Sequence, residues 1–375
     1  MFHGTVHVCH LIHSLGPGGA EQVLVDLATV AGDVGLRMTV LALVDHPTPV
    51  HEDDLRRAGV EVRNLGLGSR WDPRAFVRAE RLVAEVRPDL LHTHLKHADL
   101  VGGVVATRLG LPQVSTLHVI EEGARGVALG KRWLAGRLRS RIAARTIAVS
   151  AAQREWYLST FRADPSSLVT LYNGVVPGPP LEPSERTALR ATLGADENTV
   201  LAANVSIMRP GKGHVDLLKA MAQLPPSSPV RLVLIGDGPC RSDLEQLATT
   251  DPALTDRVLF AGYRTDIATV IQAADVIVHP SYADALPTAL IHALAAGLPV
   301  IAYDVGGIPE IVGSDAGVLL PVGSVSELAR TTEELAGDPA ARARMGSAGR
   351  ARFAELFDAK IWAENLVRLY DEVRS

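Results

Sequence analysis

Short apolar, β-branched runs alternate along this chain with segments of helical apolar spacing, and glycine or proline marks nearly every junction. Strands that alternate with helices pair in parallel, because a parallel connection needs a long crossover and the helix supplies it. The stretch from Asp275 to Glu310, DVIVHPSYADALPTALIHALAAGLPVIAYDVGGIPE, shows the unit most clearly. A strand from Asp275 stops at Pro280, and Pro287 sits as a first-turn helix proline. Thr288 to Ala296 is helical, Gly297 supplies a left-handed stop, and Pro299 opens the next strand. In an open parallel sheet such a helix N-terminus emerges at a strand end, where free N–H groups and the helix dipole favour an anion. A phosphate-bearing ligand is the first expectation.

The same rhythm runs through both halves. In the first, strands are expected at Val6–Ile12, Arg37–Val44, Val60–Leu65, Leu90–His92, Val114–Leu117 and Thr146–Val149. Helices are expected at Ala20–Ala31 and around Glu52–Ala58 and Pro73–Val86. After Asn173-Gly174, a cluster of Pro177, Pro179, Pro180 and Pro183 marks a boundary. The second half has strands at Val200–Val205, Val230–Ile235 and Arg257–Phe260, with helices from His214 and Arg241. From Pro339 a helix is expected to run to Ser375, with Trp362, Leu366, Leu369 and Tyr370 as its packing stripe. At 375 residues the chain exceeds one ordinary core. The expected architecture is α/β, with two Rossmann-like domains at 1–176 and 177–355 and a C-terminal helix at 356–375.

Composition removes several function classes. A net charge of -5 with 21% charged residues gives no basic footprint, so no nucleic-acid partner is expected. Cys9 and Cys240 form no CxxC pair, which argues against a zinc site or a disulfide framework and fits a reducing cytoplasm. No basic leader followed by an apolar run, and no membrane-length apolar segment, is present in the sequence, so a cytoplasmic location is expected.

Several constellations carry candidate chemistry. Gly16-Pro17-Gly18-Gly19-Ala20-Glu21 can bring backbone close to a ligand at a helix start. A dinucleotide fingerprint would need a third glycine where Glu21 stands, so NAD is disfavoured although Asp45 mimics the acidic ribose partner. Arg209-Pro210-Gly211-Lys212-Gly213-His214 places two cations and two glycines between a strand and a helix, as a diphosphate clamp or as a solvated turn. His92, His94 and His97 sit at a strand end and His118 ends the next strand. Packed or hydrogen-bonded histidine is favoured over a metal site for the first three, and His118 is the better catalytic candidate. The stretch 131–145, KRWLAGRLRSRIAAR, carries six cations and no acid. It reads as a surface helix with its apolar side inward, or as a peripheral contact to an anionic membrane.

Gly18-Gly19-Ala20-Glu21, His118, Val149-Ser150, Asn173-Gly174-Val175, Lys212-Gly213, Gly236-Asp237-Gly238-Pro239, Pro280-Ser281 and Gly306-Gly307-Ile308-Pro309-Glu310 together resemble glycosyltransferase family 4, almost end to end. The resemblance implies a GT-B fold with an N-terminal acceptor domain, a C-terminal donor domain and a final helix crossing back to the first. It implies a retaining, metal-independent transfer of a sugar from a nucleotide-sugar to a hydroxyl of a glycan, lipid-linked or small-molecule acceptor. It implies no cofactor beyond that co-substrate, with UDP favoured over GDP. By the same resemblance His118 and Asp284 are catalytic. Gly18, Gly19, Arg209, Lys212, Leu286, Pro287 and Thr288 hold the diphosphate, Arg264 and His292 the nucleoside and ribose, and Asp284, Ala285 and Glu310 the sugar.

Two features depart from the family pattern. The family's paired glutamates read Asp284 and His292 here, and an arginine the family often carries stands as Ile207. These departures motivate the alternative of a non-catalytic or weakly active nucleotide-sugar-binding scaffold of the same fold. An epimerase or a phosphorylase of similar architecture is a third class, the latter disfavoured for want of a lysine in a pyridoxal Schiff base motif.

Overall fold

The structure is a computed structural model that describes residues 5–67, 72, 74–120, 136, 139 and 142–375. The chain forms two compact units, one of Met1–Val175 with Leu356–Ser375, the other of Val176–Glu355. Each is built on one sheet with helices against it.

In the first unit, strands β1 (Val6–Ile12), β2 (Leu36–Val44), β3 (Glu61–Leu67), β4 (Leu90–His94), β5 (Gln113–Leu117), β6 (Arg145–Ala148) and β7 (Leu168–Thr170) lie in the order β3-β2-β1-β4-β5-β6-β7. Every neighbouring pair is parallel. In the second unit, β8 (Val200–Val205), β9 (Val230–Ile235), β10 (Val258–Gly262), β11 (Val276–His279), β12 (Val300–Tyr303) and β13 (Gly317–Leu320) lie in the order β10-β9-β8-β11-β12-β13, again all parallel. The apolar runs are continuous and not alternating because helices cover both faces. Leu11, Ile12, Val40, Leu41, Leu234, Ile277 and Val278 are all fully buried.

The strand order reverses between β1 and β4 and between β8 and β11. At such a switch point the connections leave toward opposite faces and open a crevice at the carboxyl ends of the strands, where open α/β sheets bind ligands. The helix Gly19–Val30 follows β1 and the helix His214–Ala222 follows β8, so the glycine loop and the lysine loop each sit at a switch point.

The expected single helix from Pro339 to Ser375 is corrected to two, Pro339–Leu356 and Ala359–Arg374. The break falls at Phe357 and Asp358, whose backbone pairs with Val175: Val175 N–H donates to Phe357 O at 3.0 Å and Ala359 N–H donates to Val175 O at 3.2 Å. Asp358 then caps the second helix through Lys360 N–H. Gly174 permits this approach, since a Cβ there would lie 2.7 Å from Ala359 Cα. Trp362, Leu366, Leu369 and Tyr370 are buried in the core of the first unit with Val23, Leu24 and Leu27 of the helix after β1.

Pro287 is likewise placed one residue earlier than expected. It is the N-cap of the helix Thr288–Ala296, and Gly297 ends that helix at φ 72°.

Trp362 is 5% exposed and belongs to that core. Replacing it by Ala is expected to cost about 3–5 kcal/mol from lost burial and the cavity left behind. The check is urea unfolding of the first unit followed by near-ultraviolet circular dichroism, where a midpoint within error of wild type refutes the assignment.

Candidate functional site

In the second unit the lysine loop is clamped from two sides. Met208 N–H donates to Asp237 O, and Tyr282 N–H donates to Gly211 O at 2.9 Å. Gly213 holds φ 72°, and a Cβ on it would lie 1.7 Å from Pro280 O, so only glycine lets the loop pass under β11. This packing brings three side chains together. Lys212 Nζ donates to both oxygens of Asp284, at 2.6 and 2.8 Å, and His279 Nε2 lies 2.9 Å from Asp284 Oδ2. Lys212 and His279 are buried, and Asp284 is largely so.

Burial is the largest influence on the Asp284 carboxyl and alone would raise it. The hydrogen bond from His279 and the charge of Lys212 outweigh that effect and hold it well below the usual carboxylate range. Asp284 is therefore a carboxylate at neutral pH. Its backbone carbonyl accepts from Gly307 N–H at 3.1 Å, which ties this loop to the Gly306-Gly307 turn before Glu310.

The other expected donor-side residues fall around this group in different states. Arg209 is exposed, and no described residue pairs with its guanidinium. Ile207 is 48% exposed, so the position of the missing arginine faces solvent. Ala285 and Leu286 are buried beside Asp284, Pro287 and Thr288 are half-buried, and Glu310 is half-buried in the helix Ile308–Val312. Pro287 has no N–H to offer, so Thr288 and Ala289 supply the first free donors of the helix. Arg264 pairs with Asp266 at 2.6 and 2.8 Å just past β10. His292 is 5% exposed with an unpartnered Nδ1, and burial lowers it to about 4. It is neutral at pH 7.

In the first unit Gly18 is the N-cap of the helix Gly19–Val30. A Cβ on Gly18 would meet Glu21 Oε2 at 2.1 Å, whereas one on Gly19 would meet nothing within 4 Å. Only the mobile carboxylate end of Glu21 would have to move, so the protein's own packing demands glycine at neither position. Burial pushes Glu21, in the first turn of that helix, up to about 7.

His118 joins a histidine cluster on one sheet face. In the β1–β4 register His10 pairs with His92 and Ile12 with His94, so His10, His92 and His94 share that face. His10 Nδ1 lies 3.1 Å from His94 Nε2, and His94 Nδ1 lies 2.9 Å from His118 Nε2. His92 is held by Tyr370 Oη at 2.6 Å and Thr116 Oγ1 at 2.7 Å. His97 is outside this group and meets His13 at 3.1 Å. The ring nitrogens of His10, His92 and His94 all lie within 4.8 Å of one another, close enough to surround a cation. However, both nitrogens of His92 and both of His94 are already held in hydrogen bonds, which a dication would have to break. Hydrogen-bonded histidine is the reading the donor set supports.

Sequence reasoning overlooked His10, His279 and Tyr370 as site residues. His10 and His279 lie inside apolar strands and read as strand residues, while Tyr370 belonged to a packing stripe. The visible signal was the two-residue spacing of His92 and His94, which places both on one face.

The stretch 131–145 lies mostly outside the described residues, as does the loop 121–131. Of its described members, Arg139 is buried in an ion pair with Asp99 at 2.6 Å, and Gly136 O accepts from Tyr157 Oη at 2.8 Å. Arg139 is thus turned into the unit and unavailable to a membrane. Among the described residues no helix is long and apolar enough to cross one.

Residues 17–178 match the model of Glycosyltransferase Family 4 and residues 185–352 that of Glycosyl transferases group 1. A 2-deoxystreptamine glucosyltransferase of Streptomyces kanamyceticus is 29% identical over 323 residues, spanning 78% of this chain and 80% of the relative. A D-inositol 3-phosphate glycosyltransferase of Saccharomonospora viridis is 31% identical over 306 residues, spanning 76% of this chain and 70% of the relative. The crystal structure of Anabaena HepE in complex with UDP-glucose superposes with a TM-score of 0.85 at 26% identity, over 98% of this chain and 99% of that one.

The buried His10 and the half-buried His118 predict acid sensitivity. Burial lowers His10 to about 3 and His118 to about 4, below the unfolded value near 6.5. The unfolded chain therefore takes up protons first, and stability present at pH 7 is lost as pH falls below 6.5. Each of these two should cost about 2 kcal/mol between pH 7 and pH 5. Thermal unfolding across that range checks it, and a midpoint that stays level contradicts the buried neutral cluster.

Proposed function

Because this chain belongs to glycosyltransferase family 4 and carries the two parallel-sheet α/β units of the GT-B fold, we propose that it is a retaining, metal-independent enzyme that moves a sugar from a nucleotide-sugar to an acceptor hydroxyl. The observation that carries this reading is the Lys212–Asp284–His279 group at the β8/β11 switch point.

A departing nucleoside diphosphate needs positive charge where its negative charge grows. Lys212 supplies that charge, Arg209 stands exposed in the same loop, and the Thr288 and Ala289 N–H groups add the helix start. By the family resemblance Gly18 and Gly19 are likewise candidates for diphosphate contact. Asp284 is already occupied by Lys212 and His279, so it is suited to accepting from sugar hydroxyls and not to binding a cation. With cations and N–H groups facing the phosphates, no metal is required in this reading. The acceptor hydroxyl then attacks on the face from which the diphosphate leaves, with His118 against the transferred sugar or the attacking acceptor and with positioning and charge stabilisation supplying the rate.

UDP is favoured over GDP as the donor base, in keeping with the UDP-glucose complex of HepE. Arg264 is assigned to the base, His292 to the ribose, and Ala285 and Glu310 to the sugar. The acceptor is a glycan, a lipid-linked or a small-molecule alcohol in the cytoplasm. The glucosyltransferase of Streptomyces kanamyceticus, whose named acceptor is the small molecule 2-deoxystreptamine, favours the last.

A panel of UDP-, GDP- and ADP-sugars with small polyol acceptors tests the reading, with the anomeric configuration of the product read by NMR and EDTA included throughout. Retained configuration and full activity in EDTA are expected. Tight nucleoside diphosphate binding with no turnover for any pair would instead leave a scaffold.

Lys212→Ala is expected to raise donor KM and lower kcat, with a combined loss of about 1.5–3 kcal/mol, the worth of a hydrogen bond to a charged group. His118→Ala should lower kcat chiefly. Unchanged kinetics for Lys212→Ala remove it from the clamp.

His292→Glu restores a two-oxygen acceptor for the ribose and is expected to tighten donor binding by about 1 kcal/mol, roughly fivefold. Loss of turnover would assign the imidazole to a donor mode of its own.

A further inference from the structure

We infer that His94 and His10 are positioning residues that lock His118 in the tautomer protonated on Nδ1, so that His118 meets its ligand as a hydrogen-bond donor and not as a base. That His118 meets the donor sugar rests on the function proposed above, whereas the tautomer follows from the histidine chain itself.

The three rings form one continuous line, His10 Nδ1 to His94 Nε2 and His94 Nδ1 to His118 Nε2. Burial depresses all three well below their ordinary value, so each ring is neutral and carries a single N–H. Such a line can run in only two directions. In the first, His10 Nδ1–H donates to His94 Nε2, His94 Nδ1–H donates to His118 Nε2, and His118 keeps its proton on Nδ1. In the second, His118 Nε2–H donates inward, His94 Nε2–H donates to His10, and His10 is left with a proton on Nε2.

The choice is made at the far end. His10 Nε2 is buried and has no hydrogen-bond partner. The small enclosed space beside the cluster, about 10 Å³, is lined by His92, His94 and His118 but not by His10. His92 offers His10 no alternative, because Tyr370 and Thr116 hold both its nitrogens. In the second direction His10 would bury an N–H with no acceptor, the rarer kind of orphan in folded proteins. In the first it buries only a bare lone pair. The first direction wins, and every proton in the line points outward toward His118.

The consequence is chemical. A base at this position would take a proton from a sugar or acceptor hydroxyl. An Nδ1–H cannot, and instead donates to an oxygen of the ligand, stabilising negative charge there. The three residues are supplied by β1, β4 and the end of β5, so the sheet register sets a proton position on a side chain at its edge.

The test is the imidazole tautomer read directly, by long-range 1H–15N correlation spectra of 15N-histidine-labelled full-length protein at pH 7, with His118→Gln and His94→Asn used for assignment. Nδ1–H patterns for His94 and His118 are expected, and an Nε2–H at His118 overturns the inference. Asn at 94 retains an N–H near the position of Nδ1–H, while Leu does not. His94→Leu should therefore lower kcat by about 10- to 100-fold, the usual cost of losing a group that orients a site histidine. Donor KM should stay level and His94→Asn should recover most of the rate. An equal fall in both variants, with thermal unfolding matched to wild type, refutes the positioning role. Stoichiometric metal in the purified protein, or zinc binding that shifts all three rings, also overturns it. Absence of transfer with every donor would sink the proposed function and leave the tautomer result standing.

Discussion

A parallel sheet sends every strand end to the same edge, and wherever the strand order reverses, that edge opens. Both units obey this constraint, at β1/β4 and at β8/β11. The polar groups that matter gather at these two places because several chain segments leave the sheet together there, with free helix N–H groups beside them. The glycines follow from the same crowding. Gly213 must pass under Pro280 and Gly174 must pass against Ala359, and in both cases a methyl group would strike backbone.

Crowding at a sheet edge also buries polar side chains, and the two units manage that cost differently. In the second unit a full charge is buried and neutralised by opposite charge, with Lys212 and His279 gripping Asp284. The pair holds the Lys212 cation in place. In the first unit the histidines at the β1/β4 edge are neutral imidazoles that bond to one another, with Tyr370 and Thr116 closing the network from the side. A charged cluster in that position would need partners the sheet does not offer. The C-terminal helix contributes the Tyr370 hydroxyl as well as its apolar stripe, so it completes the first unit chemically as well as by packing.

Much of this was legible in the chain. The alternation of apolar runs with helical segments identified most of the strands to within a residue or two, because a doubly covered sheet leaves no other way to bury such runs. Gly297 and Pro280 acted as local stop signals that tertiary packing had no reason to override. The break at Phe357 and Asp358 was not legible, since a helix can continue through both residues. It exists because Val175, far away in sequence, takes their backbone groups. His10 and His279 were passed over for a related reason: inside a strand, a histidine facing a core and one facing a functional partner look alike.

The order of residues alone established parallel α/β architecture and the loops rich in glycine and cation, because these depend on local spacing and short-range backbone chemistry, while the resemblance to glycosyltransferase family 4 supplied the candidate role of Asp284 beside those of Lys212 and His118. Only the tertiary structure decided the company those residues keep. Lys212 reaches Asp284 across 72 positions, Arg139 turns inward to Asp99, and His10 pairs with His94, which stands 84 positions away. Each of these meetings is set by strand register and loop packing, which are properties of the assembled sheet and not of any segment within it.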